Sequence, residues 1–370
     1  MSHQTESLRK SELVKMDIAV AICTWNRADL LNATLTSLAE MTIPPGVRWR
    51  VIVADNNSTD HTQQILDQHQ QTLPLKRVFV REQGKSYALN RVVRELEGDL
   101  VLWADDDVLV HKNWLEAYVH AAQRWPDAAF FGGQIVPRFL GPEPAWLRPA
   151  WRTIASVYAT RELGDEPFSF DRKELPFGAN MACRVAVQKQ YQYDPDLGVC
   201  GEEIVLGEET ALMRQWLADG YQGMWIPQSR VEHLITPNRM ELIHIQRYFY
   251  GLAQIKQRRG WRNWTAVRFA WGLWHLQCAL RAEMCCSWNQ VNANPAAWIK
   301  YLARASHTWG RLEAEWFDVP DWAKPRALRA LKRQRTQPRY QTPITLEGIR
   351  RELASSESRV TSSCPVRKVA

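Results

Sequence analysis

No stretch of the sequence reaches about 18 uninterrupted apolar residues, and the first sixteen residues are polar and charged, without the apolar segment of a secretion signal. The expectation is a protein neither secreted by a signal peptide nor integral to a membrane, and therefore cytoplasmic. Cysteine is sparse and scattered, at positions 23, 183, 200, 278, 285, 286 and 364, with no C-x-x-C spacing. That pattern argues against a disulfide framework and against a zinc site, and it suits a reducing compartment. The strings HExxH, GxSxG, GxGxxG and GxxxxGK[ST] are all missing, so none of the zinc-protease, serine-hydrolase, dinucleotide or P-loop signatures applies. No internal repeat is found. Charge of neither sign dominates: Lys+Arg 47 against Asp+Glu 40 leaves +7, which permits an anionic partner without demanding nucleic acid.

What is present is a globular composition, 45% hydrophobic and 24% charged, in a chain of 370 residues that allows one large domain or two ordinary ones. Tryptophan is in excess, with 18 residues. From Asp17 short β-branched runs alternate with helical patterns, the signature of βα units on a mainly parallel sheet, which sets the fold class as α/β. The pattern predicts strands over 17–24 (DIAVAICT), 49–54 (WRVIVA), 75–80 (LKRVFV) and 99–104 (DLVLWA), a fifth near 128–135, and helices near 28–40, 59–71, 85–96 and 112–124. Residues 136–175 mix Pro, Trp and charge without a period and read as a long surface excursion. The apolar segment FGANMAC, a helix opening near Leu206 or Gly207, and two short runs, GMWIP and RVEHLI, follow. From Met240 the pattern is helical and Trp-rich, with Trp261, Trp264, Trp271 and Trp274 close to one helix face. Basic residues gather after Trp322, and the Ser-rich end after Ala354 reads as disordered. The expected domains are a polar extension at 1–16, a catalytic domain at 17–239, a helical appendage at 240–320 and a basic tail at 321–370.

Three acidic constellations can carry chemistry. Asp105, Asp106 and Asp107 directly follow the apolar run LVLWA, where adjacent carboxylates at a buried strand end repel and need a counter-charge. A divalent cation held with substrate phosphates supplies one; a solvated turn that caps the next helix is the plainer alternative. Asp55 also ends a strand, with Ser58, Thr59 and Asp60 able to cap the helix after it. In an open α/β sheet ligands bind at the carboxyl ends of strands, so Thr24, Asp55 and Asp105 to Asp107 should line one crevice. Glu208 and Glu209 open a predicted helix, where the dipole favours acids and where one of them becomes a candidate general base. His233 alternates with apolar neighbours and reads as a core histidine or a metal ligand. Gly84, Lys85 and Ser86 could lie near phosphates at a helix start.

Seven segments, VAICTWNR, VIVADNNSTD, QGKSYALNR, LWADDDV, FGANMACR, GEETALMR and VEHL, together resemble in content and order the family 2 glycosyltransferases of the GT-A fold. The resemblance covers roughly residues 17–235. It implies a Rossmann-like, mainly parallel sheet flanked by helices. It also implies that Asp55 binds the nucleotide's base or ribose, bordered by Thr24, Asn26 and Arg27, with Gly84, Lys85, Asp105 and Asp106 on the nucleotide-sugar. It further places Asp107, Asp105 and His233 at a divalent metal, Mn²⁺ or Mg²⁺. The family's Glu-Asp motif is represented by Glu208 and Glu209. Either could be the base, and Glu209 is the favoured one although Asp is usual at its position. The paired basic residues often seen after FGAN reduce to Arg184. QRRGW stands where processive members carry Q-x-x-R-W, which points to single-residue transfer.

The implied reaction is an inverting transfer from a nucleotide-diphosphate sugar, UDP first and dTDP or GDP after it, to a hydroxyl of a glycan or lipid-linked saccharide. Peripheral contact with the inner face of a membrane is the expectation for the Trp-rich and basic C-terminal part, beside the plainer reading that the Trp residues pack these helices. A catalytically degenerate relative that binds a nucleotide-sugar or glycan is the competing function. A sugar nucleotidyltransferase would need a Gly-rich basic loop where AICTWNRADL stands, and no nucleic acid is expected.

Overall fold

A computed structural model describes residues 15–171, 173–200, 203–254, 266–292 and 294–315. Its first half is a run of βα units: β1 (Met16–Thr24), α1 (Ala28–Ala39), β2 (Val47–Asp55), α2 (Thr62–His69), β3 (Leu75–Phe79), α3 (Lys85–Glu95) and β4 (Leu100–Asp105). Then come β5 (Val108–Val110), α4 (Trp114–Arg124), β6 (Ala128–Phe139), α5 (Leu147–Ile154), β7 (Asn180–Arg184), α6 (Val185–Gln188), β8 (Gly198–Cys200) and β9 (Glu203–Val205). The series ends with α7 (Glu208–Ala218), β10 (Gln222–Ile235), α8 (Leu242–Gln254), α9 (Ala266–Val291) and α10 (Pro295–Glu315).

Eight strands form one sheet in the order β3-β2-β1-β4-β7-β6-β10-β5, while β8 and β9 pair separately. The first four are mutually parallel, and so are β6 and β10; β7 runs antiparallel to both neighbours, as β5 does to β10. The central strands are apolar on both faces because helices cover both. Alternation then sorts the residues: Ile18, Val20 and Ile22 of β1 pack with α1 and α4, whereas Ala19 and Ala21 face the layer of α3 and α7.

Two stretches differ from the sequence expectation. Residues 136–175 are not a featureless excursion: β6 continues to Phe139, and α5 and the 3₁₀ turn after it, Ala155–Tyr158, are built into the interior. Leu147, Ala150, Ile154, Val157 and Tyr158 bury one face against Ile235, Met240, Ile245 and Ile299. Pro149 hides this helix from a sequence reading, yet it sits in the first turn, where its missing N–H costs nothing. The runs GMWIP and RVEHLI are likewise one strand, β10, interrupted by a register shift between Ile226 and Arg230 at Pro227, whose missing donor breaks the ladder.

The C-terminal helices share the α5 core, where Trp298 of α10 meets Trp146 edge to face. Trp261, Trp264 and the tail at 321–370 lie outside the described residues. Among those described, no helix is long and apolar enough to cross a membrane.

Asn180 at the start of β7 ties the layers together. Its Oδ1 accepts from Trp114 Nε1 and the Tyr118 hydroxyl, both at 2.7 Å, and its Nδ2 donates to the carbonyls of Gln134 and Ser229. Every polar group of this buried amide is used, so Asn180→Leu strands several donors and acceptors at once. We expect it to lower unfolding stability by about 3 kcal/mol, read from urea melts.

Candidate active site

The carboxyl ends of β1, β2 and β4 lie side by side, with Thr24 opposite Asp55 and Cys23 opposite Asp105 in the ladder. The first βα turn is held in a bent shape by Asn26, which adopts φ 52, a left-handed conformation that Asn tolerates better than most residues. Its Oδ1 accepts from the backbone N–H of Thr59 at 2.7 Å, its own N–H donates to Ser58 Oγ, and the N–H of Ala28 donates to Asp60. Ser58 and Thr59 therefore bind the neighbouring turn, while Asp60 receives the N–H of Thr62 at the start of α2. The bend lets Thr24 and Arg27 reach one carboxylate: Thr24 Oγ1 donates to Asp106 Oδ2 at 2.7 Å and Arg27 Nη1 to Asp106 Oδ1 at 3.0 Å.

Asp55 is buried, with Oδ1 accepting from the Ser58 N–H and Oδ2 from Arg77 at 3.2 Å. Beside it Asn56 donates to the carbonyls of Val80 and Glu82 and accepts from the N–H of Gly84, which fixes the turn into α3. Gly84 has φ 135 there, a conformation reserved for glycine.

The two sides of the crevice meet through a short strand. β5 pairs antiparallel with β10, setting Val108 opposite His233, and the Leu234 N–H donates to the Asp107 carbonyl at 2.8 Å. Asp107 and His233 are thereby brought together, with Oδ1 and Nε2 3.2 Å apart and both side chains buried. His233 Nδ1 donates to the Tyr158 carbonyl at 2.7 Å, so in the neutral ring the Nε2 lone pair faces the carboxylate. Arg239 donates to that Nε2 at 2.9 Å and to Asp107 Oδ2 at 2.8 Å, and Arg27 also reaches Asp107 Oδ2 at 3.0 Å. Burial would raise Asp107, but the charges of Arg27 and Arg239, joined by His233 whenever its ring is protonated, outweigh it and hold the carboxyl far below its ordinary range. Asp106 shifts the opposite way, raised by burial and by its neighbour Asp107 despite Arg27.

On the other side Lys85, the first residue of α3, reaches Glu209 Oε1 at 2.8 Å and Asp105 Oδ1 and Glu208 Oε1 at 3.3 Å. A cation in a first helical turn opposes the dipole; these three carboxylates overcome both that and its burial, raising the ammonium well above its ordinary value. Glu208 and Glu209 open α7 after Gly207, which has φ 103. Burial, the charge of Glu208 and that of Asp105 push Glu209 up to about 7, with Lys85 pulling the other way. A Cβ on Gly178 would overlap the Glu209 carboxylate, so the FGAN turn leaves room for this side chain.

Thr24, Arg27, Asp106, Asp107, His233 and Arg239 thus form one network and Lys85, Asp105, Glu208 and Glu209 a second, and the neighbouring residues Asp105 and Asp106 join the two into one cluster. Asp55, Asn26 and Gly84 belong to an adjoining network joined to it by the Asn56 N–H, which donates to the Thr24 carbonyl at 2.9 Å. Asp105 points to Lys85 and the glutamates rather than to Asp107 and His233. Sequence reasoning missed Arg239, Arg77 and Asn56. For Arg239 the one available signal was a basic residue shortly after the VEHL segment.

The cluster holds five carboxylates, Asp105, Asp106, Asp107, Glu208 and Glu209, against three permanent cations, Arg27, Lys85 and Arg239. Asp107 Oδ1 is buried and accepts no hydrogen bond. A carboxylate oxygen left without a donor, beside an imidazole nitrogen that a divalent cation would take over from Arg239, is a donor set that fits the ion.

The sequence profile described as Glycosyl transferase family 2 matches residues 19–175. The chain is 32% identical over 262 residues to the succinoglycan biosynthesis protein ExoM of Rhizobium meliloti (strain 1021), covering 70% of this chain and 80% of that protein. It is 24% identical over 230 residues to the glucosyl-dolichyl phosphate glucuronosyltransferase of Haloferax volcanii, covering 61% and 72%. Among solved structures the mannosyltransferase PcManGT from Pyrobaculum calidifontis, in complex with GDP-Man and Mn²⁺, aligns with a TM-score of 0.49 at 16% identity over 94% of this chain and 88% of that one. The profile match and the extent of the ExoM alignment place the chain in glycosyltransferase family 2, with the α/β architecture that the resemblance implied.

Proposed function

We propose that this glycosyltransferase moves a single sugar from a nucleotide-diphosphate sugar to a hydroxyl of a glycan or lipid-linked saccharide, with inversion at the anomeric carbon and Glu209 as the general base. The observation that carries the reading is Glu209 itself. It is a carboxylate pushed up to about 7, matched to taking a proton near neutral pH, and it is bridged by Lys85 to Asp105 of an aspartate trio suited to a metal and phosphates.

In the reaction the acceptor oxygen attacks the anomeric carbon, its proton passes to Glu209, and the bond from that carbon to the diphosphate oxygen breaks as the nucleoside diphosphate leaves. Lys85, which reaches Glu209 and Asp105 at once, orients the base relative to the donor side. Asp55 and Asn26 frame the nucleoside end, while Arg27 and Arg239 are placed to receive phosphate oxygens. Asp107 and His233 would hold Mn²⁺ or Mg²⁺. Among the described residues no group of three or more His, Cys, Asp or Glu forms a metal cage; Mg²⁺-type ions commonly use one or two carboxylates and take their other ligands from substrate phosphates and water. When bound, the cation supplies charge neutralisation for the departing diphosphate.

Thermal melting tests the donor half. With UDP, GDP, dTDP and CMP each offered with and without Mn²⁺, we expect one nucleoside diphosphate at saturation, UDP first, to raise Tm by a few degrees only when the metal is present. Absence of a shift with every nucleotide would overturn the reading.

A further inference from the structure

The turn from Tyr158 to Arg161 leaves its polar atoms unused. Among the described residues the Tyr158 hydroxyl, the Thr160 hydroxyl and Arg161 Nε are buried and make no hydrogen bond. Unmet buried donors are costly, so this grouping within four residues of chain points to a ligand or to water. Arg161 is the most exacting member. Among the described residues its guanidinium forms no ion pair, and it lies over the ring of Phe177 with Cζ 5.0 Å from the centroid. Burial lowers its pKa from the ordinary value, and Glu174, an exposed acid, offsets that only in part. Arg161 is a half-buried cation that lacks a matching counter-charge.

Its place in the sheet sets it beside the crevice. Ala159 takes φ 50 at the end of the 3₁₀ turn, where glycine is usual, and the bend returns the chain to β6. There the N–H and the carbonyl of Arg161 both bond Ile135, at 3.0 and 2.9 Å. β7 pairs with β6 only as far as Gly132, so Arg161 takes the next place on the same edge. Trp103, Met181 and Gly132 form one row across β4, β7 and β6, and Ile135 lies as far past that row as Asp106 does, which brings Arg161 near the height of the aspartate trio. Two contacts tie the turn to the site. The Tyr158 carbonyl accepts from His233 Nδ1 at 2.7 Å. Phe177, against the guanidinium, precedes Gly178, where a Cβ would lie 2.1 Å from Glu209 Oε1. With the nucleoside end at β1 and β2, a hydroxyl that gives its proton to Glu209 comes from the opposite side, past the FGAN turn and Arg161.

We propose that Arg161 is an acceptor-binding residue that receives an oxyanion of the acceptor saccharide, a uronate carboxylate or a phosphate ester, with the hydroxyls of Tyr158 and Thr160 as its neutral companions. The proposal rests on the reading of Glu209 as the base, which fixes the side from which the acceptor enters. A guanidinium presents a planar fork of donors that matches either oxyanion with two parallel N–H bonds. A neutral sugar would leave the cation unpaired, so the site selects for a charged acceptor.

The test is thermal melting of the full chain with methyl glucuronide, glucose 1-phosphate or methyl glucoside at equal concentration and ionic strength, each with and without UDP and Mn²⁺. One of the two anionic sugars should raise Tm by about two degrees more than methyl glucoside does, and the larger shift says which oxyanion the site takes. In Arg161→Gln that difference should vanish. The ligand-free Tm of this variant and its response to UDP with Mn²⁺ should stay within about a degree of the wild type, because no acid loses its partner. Arg161→Lys keeps the charge but loses the fork; it should show about half the shift, and it carries the same test if the Gln variant melts lower. The proposal is overturned if neither anionic sugar exceeds methyl glucoside in the wild type. It is also overturned if Arg161→Gln responds as the wild type does, as it would to a sugar phosphate held only by Arg27 and Arg239. A missing response to UDP beside a retained, Arg161-dependent shift would strike the donor reading and leave the anion site standing.

Discussion

Glu209→Gln should reduce turnover by about a thousandfold while leaving donor affinity within a few-fold of the wild type. The substitution keeps the side chain's length and shape beside Gly178, where there is no room for a larger rearrangement. What it removes is the capacity to accept a proton, and the loss should therefore appear in kcat rather than in donor binding. Glu208→Gln is the control: its carboxylate is more deeply buried and 3.3 Å from Lys85, and the variant should retain most of the activity. If Glu208→Gln were the inactive variant and Glu209→Gln the active one, the base would be Glu208.

The same carboxylate sets a pH signature. Because Glu209 is raised to about 7 and must be ionised to act, kcat/KM should climb with pH and level off above that value, and this limb should be absent from the residual rate of Glu209→Gln. Stability runs the other way. Between the ordinary Glu value of 4.5 and about 7 the native state binds more protons than the unfolded one, so the contribution of this group to stability is present below that window and is lost as pH rises through it. At pH above the window Glu209→Gln should therefore be more stable than the wild type, by about 1 to 3 kcal/mol.

How much of this could be read from the sequence depended on whether a residue's place followed from local period. The end of an apolar strand is such a place, and it located Asp55 and Asp105 to Asp107 before any coordinates. A helix start located Glu208 and Glu209 in the same way. The meeting of Asp107 with His233 was not legible from spacing, because it depends on β5, three residues long, pairing antiparallel with a strand more than a hundred residues later. The role of Lys85 as a bridge between Asp105 and Glu209 was hidden for a similar reason: α3 and α7 meet only in the folded chain. Arg239 went unassigned because it follows β10 by only a few residues and its position beside Asp107 comes from the turn after that strand, where spacing alone marks no more than a basic residue shortly after VEHL. In α5, Pro149 and the surrounding Trp residues masked a period that burial makes plain. Local pattern placed the elements and the acids at their ends, whereas the partners of those acids are a property of the tertiary pairing.

The largest effect on the donor side is expected from Asp107→Asn. The variant keeps the volume of the buried side chain but withdraws the charge that Arg27, Arg239 and His233 share, and it replaces one potential ligand oxygen by an amide that donates. Two consequences should be separable. Leaving two guanidinium groups near a neutral amide should cost about 1 to 3 kcal/mol of stability, milder than a truncation to Ala, which would also leave a cavity. Activity should fall by about a thousandfold or more in kcat/KM, and raising Mn²⁺ should not restore it, because the carboxylate that fixes the cation beside the diphosphate is gone. Calorimetric titration gives the decisive readout independent of turnover: Mn²⁺ and nucleoside diphosphate should strengthen each other's binding in the wild type and bind independently in Asp107→Asn. If that coupling survived the substitution, Asp107 would not be a metal ligand, and its buried charge would serve only to gather Arg27 and Arg239 for the phosphates.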